Sequence, residues 1–371
     1  MARTQTQAPG RTGGRALSAH LNAYIAILAG GVGSRFWPAS TRQRPKQFLP
    51  LASDTALIDE TLDRAVQLVG ESRVRVIASA QLLSLMRDSL DRRGVDSLAE
   101  PQAKGTGPAL AWAAYEIERE SPGAVMISMH ADHRISPPAG LRATLEESMQ
   151  RAREGYLCCI GVRPNRPETG YGYMQLGAEL DRSSFEVKKF VEKPDIETAK
   201  RYAESGNYLW NSGIFVWHCA DLLTAVEAHA HELHRAIPLL SQGDVQGFFD
   251  VANPIAIDVG VLERAGRIAT TEARFEWDDL GVWTAVARSR GVDDCGNSVV
   301  GSARLLASER NVVWTESMRA TLIGVSDIVV VEANDELLVL SRAEADRLNL
   351  HIRELEEQDN TSPASDTKES A

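Results

Sequence analysis

The fold is decided by an apolar segment that ends in a glycine-rich turn, YIAILAGGVGSRFWP at residues 24–38, followed by RPKQF at residues 44–48. A short apolar run that stops at glycines is typical of a buried strand. Glycines after a strand let backbone N–H groups approach a phosphate closely. Arg35 and Lys46 add positive charge, Arg as a bidentate donor and Lys as a point charge. The segment therefore predicts a strand that leads into an anion-binding loop.

Two widespread phosphate-binding patterns do not fit this turn. The G-x-G-x-x-G fingerprint of dinucleotide binding fails because position 36 is Phe. The Walker pattern fails because no Gly-Lys-Ser/Thr follows the glycines. The turn therefore indicates another kind of phosphate site.

Strands and helices alternate from this segment onward. Apolar runs predict strands, and helical spacing predicts helices between them. The alternation predicts an α/β fold, with a Rossmann-like, mostly parallel sheet flanked by helices. Ligands of such sheets bind beyond the carboxyl ends of the strands. The loops that start at Gly30, His130 and Arg163 are therefore expected on one rim. The predicted strands are 24–29, 73–77, 124–129 and 157–162, and the predicted helices are 55–68, 81–93, 107–121 and 141–154.

The pattern of predicted strands and helices changes after about residue 291. Short, glycine-punctuated apolar runs at 298–301, 311–314, 328–331 and 337–340 predict a small C-terminal β-rich appendage, β-helix-like, with a terminal helix at 342–357. Polar composition predicts disorder at both ends. The predicted parts are a disordered tail at 1–21, a catalytic domain at 22–290, the appendage at 291–358 and a second disordered tail at 359–371.

Composition excludes several classes of protein. The 371 residues carry a net charge of −11, whereas a nucleic-acid binder is usually basic. No apolar run approaches the ~18 residues of a membrane span. The four cysteines lack zinc-like spacing and indicate a reducing compartment. We expect a cytoplasmic protein that binds neither nucleic acid nor a membrane.

Further motifs follow the glycine turn in order. They are EPQAKGTGPA at 100–109, HADH at 130–133, TGYGY at 169–173, FVEKP at 190–194, YLWNSGIF at 208–215 and WDDLGVW at 277–283. Over roughly residues 24–355 the chain resembles the sugar-1-phosphate nucleotidyltransferases. Within that family it is most similar to members that use GTP and mannose 1-phosphate. The resemblance implies transfer of GMP to mannose 1-phosphate, with release of pyrophosphate. It leaves the oligomeric state open, with a homodimer as one option.

The resemblance implies a catalytic set of Arg35, Lys46, Asp132 and Asp279, with Mg²⁺ held by the two aspartates. Mg²⁺ prefers hard oxygen ligands and usually takes one or two carboxylates plus substrate phosphates. Taken alone, Asp132 would more often serve an Asx turn or a helix cap, and the resemblance reverses that interpretation. Asp278 is expected to be a solvated neighbour.

The resemblance also implies two binding sets. His133 is expected to be structural and Trp210 to belong to the core. The sugar-phosphate set is Gly172, Glu192, Lys193 and Asn211. The nucleotide set is Gly30, Gly31, Gly33, Ser34, Glu100, Thr106 and Pro108.

The chain departs from the family pattern at three positions. Gly105 stands where the family usually has Asn, Gly107 where it has Ala, and His130 where it has Pro. These departures predict looser discrimination between bases, which Gly105→Asn is expected to sharpen. Two alternative functions stay open. One is a sister enzyme with another sugar or base, such as a glucose-1-phosphate uridylyltransferase. The other is a catalytically silent paralogue that binds nucleotide sugars.

Overall fold

A mixed α/β architecture is seen in the computed structural model, which describes residues 22–31 and 33–361. The tail predicted at 1–21 and the end of the chain after 361 lie outside the described residues. The described part contains a large sheet built from nine strands, which are β1 Ala23–Leu28, β2 Val74–Ser79, β3 Asp96–Glu100, β4 Val125–His130, β6 Leu157–Val162, β7 Tyr173–Glu179, β8 Ser184–Val191, β9 Tyr208–His218 and β10 Ile268–Glu272. They lie in the order β3-β2-β1-β4-β9-β6-β10-β8-β7.

The predicted mostly parallel sheet is confirmed. The pairs β1–β2, β2–β3, β1–β4 and β6–β10 are parallel, and β8 and β9 pair only with strands of opposite direction. Seven of the nine strands in the described sheet therefore run the same way. A separate two-stranded pair joins β5 Arg134–Ser136 to β11 Glu276–Asp278.

Apolar side chains cover both faces of the sheet. In β1, Ala23, Ile25 and Ile27 belong to one buried cluster, and Tyr24 and Leu28 to another. A strand buried on both faces needs a continuous apolar run, which explains the sequence of β1. None of the described helices is long and apolar enough to cross a membrane. The helices are α1 Leu57–Val69, α2 Ala80–Asp91, α3 Thr106–Glu120, α4 Pro138–Arg153, α5 Ile196–Ser205, α6 Cys219–His229, α7 Ile237–Ser241, α8 Val245–Val251, α9 Thr284–Arg290 and α10 Leu348–Thr361.

The C-terminal β-rich part forms a four-stranded sheet. Its strands are β12 Ser298–Leu306, β13 Val312–Ile323, β14 Ile328–Ala333 and β15 Glu336–Ser341, in that order. The first three strands stack in parallel, as successive turns of a solenoid would, and the last is antiparallel. Asn311 supports the stack, because its amide donates to Asn297 Oδ1 at 3.0 Å and its Oδ1 accepts from the next turn. The predicted terminal helix begins six residues late, after a 3₁₀ segment at Arg342–Arg347.

This sheet packs directly against the glycine-rich segment. Phe36, Trp283 and Trp314 form one buried aromatic stack, with ring centroids 5.0 and 5.5 Å apart. Asn334 Nδ2 donates to the carbonyl of Pro38 at 2.7 Å. The C-terminal sheet therefore supports the loop that carries Arg35 and Lys46.

Candidate functional site

A cavity of about 330 Å³ opens at the carboxyl ends of β1 and β4. These strands are neighbours in the sheet, with Leu28 paired to His130, so the loops that follow them meet at one rim. Arg163 lies elsewhere on the rim, where it pairs with Glu272. Of the predicted nucleotide set, Gly30, Gly31, Glu100 and Thr106 line the cavity. Gly33, Ser34 and Pro108 do not, and Pro108 is buried in the first turn of α3.

Two polar side chains give the cavity its hydrogen-bonding character. Glu100 ends β3, and partial burial raises the pKa of its carboxyl group. Gln47 is 2% exposed, and its Nε2 donates to the carbonyl of Ala29 at 3.2 Å. Gln47 was missed at the sequence level, although it directly follows Lys46 in the RPKQF segment. A carboxylate and a backbone-anchored amide can together read the polar edge of a base.

Lys46 forms hydrogen bonds with residues of two motifs that lie far from it in the sequence. Its Nζ donates to Asp132 Oδ2 at 2.7 Å and to the backbone carbonyl of Asp279 at 2.5 Å. The Lys46 side chain is only 8% exposed. We refer to Arg35, Lys46, Asp132 and Asp279 as the Lys46 cluster. The predicted catalytic residues therefore do meet, at the edge of the cavity.

The pKa values of the two carboxylates in the Lys46 cluster are shifted in opposite directions. Burial opposes ionisation of Asp132, but the Lys46 ammonium outweighs it and holds the pKa below its usual range. Burial raises the pKa of Asp279, against the opposing effects of Lys46 and of the Tyr171 hydroxyl, which donates to Asp279 Oδ1 at 2.6 Å. Gly281 N also donates to Asp279 Oδ1, at 3.1 Å.

A divalent cation fits this donor set. Lys46 occupies Oδ2 of Asp132, while Tyr171 and Gly281 occupy Oδ1 of Asp279. No described group donates a hydrogen bond to the other oxygen of either carboxylate. Two carboxylate oxygens at the edge of the cavity match the preference of Mg²⁺ for hard ligands.

Arg35 and Gly33 place positive charge beside these carboxylates. Arg35 is exposed and makes no ion pair with any described residue, and its guanidinium lies next to Gly281 and Asp279. Gly33 has φ +74°, and a Cβ there would lie 2.2 Å from Lys46 Cβ. Gly33 therefore allows Lys46 to pack closely against the backbone and does not line the cavity.

His130 and His133 stack beside Asp132, with ring centroids 4.7 Å apart. The three residues offer ligand atoms within 4.8 Å of one another. His133 Nδ1, however, accepts a hydrogen bond from Trp277 Nε1 at 3.1 Å. We therefore assign the proton of the neutral ring to Nε2, which makes His133 a donor rather than a metal ligand. This geometry agrees with the structural role expected for His133.

Asp278 is not a solvated neighbour, and that expectation is wrong. It is 6% exposed, and its Oδ2 accepts from Arg288 Nε at 2.9 Å. Its Oδ1 accepts from the backbone N–H of Leu280 at 2.8 Å. The two adjacent aspartates therefore differ. Asp278 stabilises the turn through its carboxylate hydrogen bonds, whereas Asp279 accepts a hydrogen bond from Lys46 through its backbone carbonyl.

The predicted sugar-phosphate residues also converge. Asn211 N donates to the carbonyl of Gly172 at 2.8 Å. A Cβ at Gly172 would lie 2.6 Å from Glu192 Oε2, so only glycine admits this approach. Lys193 Nζ pairs with Glu192 Oε1 at 3.0 Å from an exposed position. Trp210 is 1% exposed, which confirms it as core.

A further acid completes this group. Asp258 Oδ1 accepts a hydrogen bond from Asn211 Nδ2 at 2.7 Å. Burial, reinforced by the negative charge of Glu192, raises the pKa of Asp258 to about 6. We refer to Gly172, Glu192, Asn211 and Asp258 as the Asn211 cluster. Asp258 was missed because no pattern around it singles out one acid, and its partner lies 47 positions away.

The segment 253–258 joins the cavity to the Asn211 cluster through the loop 104–107. Ile255 N donates to Lys104 O at 3.0 Å, and Gly107 N donates to Ile255 O at 2.9 Å. Thr106 Oγ1 accepts from Ile257 N at 2.9 Å, so this hydroxyl serves the segment as well as lining the cavity.

Gly105 and Gly107 allow this close packing. A Cβ at Gly105 would lie 2.7 Å from Ile255 O, and one at Gly107 would lie 2.8 Å from Ile255 Cγ2. Gly105 also has φ +87°, which L side chains rarely adopt. The expectation that Gly105→Asn sharpens base choice therefore has no support in the geometry, because an asparagine there displaces Ile255.

Comparisons with known proteins agree with this geometry. The pattern that defines the family described as Nucleotidyl transferase matches residues 25–290. The chain is 30% identical to a putative mannose-1-phosphate guanylyltransferase of Vibrio cholerae, over 89% of this chain and 73% of that protein. It is 32% identical to a mannose-1-phosphate guanylyltransferase of Escherichia coli K12, over 86% of this chain and 70% of that protein.

A solved structure extends the similarity to three dimensions. A Thermus thermophilus protein described as a mannose-1-phosphate geranyltransferase superposes with a TM-score of 0.84 at 32% identity. The match covers 91% of this chain and 100% of that one. It therefore includes the C-terminal sheet as well as the large sheet.

Proposed function

Because this chain belongs to the nucleotidyl transferase family, we propose that it transfers GMP from GTP to mannose 1-phosphate, giving GDP-mannose and pyrophosphate. The observation that carries the proposal is the Lys46 bridge between Asp132 and Asp279 at the edge of the cavity. The names of the curated relatives support the choice of substrates.

The cavity suits a guanine base in this proposal. The Glu100 carboxylate can accept hydrogen bonds from the N1–H and the N2 amine of guanine. Adenine does not present donors in that arrangement. A site built around such a group rejects the wrong base strongly, because its buried polar atoms are then left unpaired. The backbone of the glycine turn and the anchored Gln47 amide supply further partners.

The reaction needs positioning and charge more than proton transfer. A phosphate oxygen of mannose 1-phosphate attacks the α-phosphorus of GTP in line, the new P–O bond forms, and pyrophosphate leaves with the electron pair of the broken bond. The nucleophile is already an anion, so no general base is required. Arg35 and Lys46 bind and orient the triphosphate and stabilise its negative charge.

Asp132 and Asp279 would hold Mg²⁺ in this arrangement. The bound ion would supply positive charge to the phosphate groups. Lys46 keeps Asp132 ionised and fixes the position of Asp279 through its backbone carbonyl. Tyr171, whose pKa is raised by burial, stays protonated and orients the Asp279 carboxylate.

A pyrophosphate-release assay tests the proposal. GTP plus mannose 1-phosphate with Mg²⁺ is expected to give GDP-mannose, and GTP is expected to exceed ATP and UTP in kcat/KM. Parallel reactions with UTP and glucose 1-phosphate test the sister activity. Equal kcat/KM for GTP and ATP would remove the guanylyl specificity. No turnover with any pair would favour a silent nucleotide-sugar-binding protein.

A further inference from the structure

Asp258 is placed where it can both orient Asn211 and meet a ligand. It begins a short helical segment at Asp258–Leu262, and its Oδ1 accepts from Asn211 Nδ2. Asn211 is fixed on its other sides, because its Oδ1 accepts from Gly213 N at 3.0 Å and its backbone N–H donates to Gly172. The Asn211 amide therefore has one orientation, in which Nδ2 donates to Asp258 and Oδ1 accepts from Gly213.

The charge around Asp258 is unusual for a buried acid. Glu192 and Glu263 both repel its negative form. No cation bonds to it in the described part of the chain, where Asn211 is the one side chain that donates to it. Burying a carboxylate is costly unless hydrogen bonds compensate. Asp258 Oδ2 therefore has unused acceptor capacity beside Asn211 and Glu192.

The geometry points to Asp258 as a sugar-binding residue: Oδ2 accepts a hydrogen bond from a ring hydroxyl of the sugar phosphate, while Oδ1 holds the Asn211 amide toward the same ring. This inference rests on the proposed function and deepens it. Asp258 and Glu192 are close enough for their charges to interact, so the two carboxylates can accept from different hydroxyls of one ring. Gly172 leaves room beside them, because its missing Cβ is where the Glu192 carboxylate lies.

Asp258→Asn tests this role directly. The change keeps the shape but puts an amide where a carboxylate accepts. We expect KM for mannose 1-phosphate to rise about tenfold or more, as for a lost hydrogen bond to a charged group, while KM for GTP stays within about twofold. Glu263→Gln is the matched control, because Glu263 ends the same helical segment and also faces Glu192 but does not bond Asn211.

A second variant covers the case in which Asp258→Asn does not fold. Asp258→Glu keeps the charge and moves the carboxylate by one methylene, so the same selective rise in KM for mannose 1-phosphate is expected. A rise in both KM values together would mean that Asp258 only supports the fold, and an unchanged KM for mannose 1-phosphate would overturn the inference.

Mannose 1-phosphate analogues that each lack one ring hydroxyl identify the contact. With the wild-type protein, at least one analogue is expected to show a KM about tenfold or more above that of the parent sugar. With Asp258→Asn, that same analogue and the parent should differ little, because the acceptor is already gone. If the penalty for every missing hydroxyl is equal in both proteins, Asp258 does not touch the sugar. Failure of wild-type turnover would instead count against the proposed function.

Discussion

The Lys46 cluster and the Asn211 cluster each contain an aspartate with a shifted pKa, yet Asp132 and Asp258 shift in opposite directions. Asp132 lies 2.7 Å from a buried ammonium group, which holds its pKa below the usual range against the effect of burial. Asp258 lies 2.7 Å from a neutral amide and faces Glu192, so its pKa rises to about 6. Lys46, with His133 and His130, therefore favours the ionised form of Asp132, whereas Asp258 has no bonded cation among the described residues.

The difference shows what each cluster can bind. A carboxylate held ionised suits a divalent cation and phosphate chemistry. A carboxylate without a cation is better matched to neutral hydroxyl donors, which compensate its burial without adding charge.

Asp279→Asn and Asp132→Asn are each expected to abolish metal-dependent turnover, because each removes a carboxylate ligand for Mg²⁺. The measurement is pyrophosphate release across a Mg²⁺ titration, with thermal unfolding recorded in parallel. Asp278→Asn is the control: it weakens the pair with Arg288 and lowers the unfolding temperature but leaves the metal dependence of the folded enzyme intact. If the Asp132 and Asp279 variants simply unfold, their role is structural.

Lys46→Ala and Arg35→Ala separate charge from packing in the Lys46 cluster. Each is expected to lower kcat by about 10²–10³-fold, because each removes a charge that stabilises the triphosphate. Only Lys46→Ala should also lower the free energy of unfolding, by roughly 2–3 kcal/mol, since it leaves Asp132 unpaired. Arg35 is exposed and its loss should leave unfolding unchanged. Near-wild-type kinetics in either variant contradict the triphosphate assignment.

Gly105→Asn tests the connection between the cavity and the Asn211 cluster. The backbone φ of +87° and the Ile255 carbonyl 2.7 Å from a Cβ predict a loss of about 1–3 kcal/mol in unfolding free energy. KM should rise for both substrates, because the displaced segment contacts the loop that lines the cavity and also carries Asp258. Gly123→Asn is the control, since Gly123 also has positive φ but nothing within 4 Å of its Cβ position. Unchanged stability with sharper GTP selectivity would restore the sequence-based expectation.

The pH dependence of stability tests the charge state of Asp258. Its pKa is about 6 in the folded protein and 3.8 in a free side chain, so the folded state holds the proton more tightly. The stabilising contribution is therefore present below about pH 4 and is lost as pH rises through about 6. Relative to Asp258→Asn, we expect the wild type to lose roughly 2–3 kcal/mol of unfolding free energy between pH 4 and 7.

Chemical denaturation of both proteins at each pH measures this difference. The acidic groups that face Asp258 are Glu192 and Glu263, while the buried Cys159 stays protonated. A constant difference between the two proteins from pH 4 to 7 would show that Asp258 is not perturbed in this way.

Much of the fold could be predicted from the local pattern of apolar and glycine residues in the sequence. The buried strand β1 and its glycine turn were predictable because a strand covered on both faces must be apolar throughout. The strands β7 and β8 were not predicted, since their partly exposed side chains give no continuous apolar run and their pairing depends on neighbours distant in sequence.

The candidate site also contains residues that could be predicted from the sequence and residues that could not. Lys46 and Asp132 each follow a recognisable element, so their motifs could be read from the sequence. The buried, hydrogen-bonded position of Asp278 could not, because it depends on Arg288, which is ten residues further along the chain. Asp258 lies in an irregular helical turn, and only the folded chain brings it to Asn211.

The backbone hydrogen bonds between loop 104–107 and segment 253–258 connect the floor of the base pocket to the Asn211 cluster. A nucleotide that orders this loop also orders the segment that carries Asp258. Heterotropic cooperativity follows from that shared framework: bound GTP should tighten mannose 1-phosphate binding, and thermodynamic reciprocity requires mannose 1-phosphate to tighten GTP binding by the same factor. An enzyme built in this way favours the ternary complex over either binary one, which limits the time that an activated triphosphate spends bound without its acceptor.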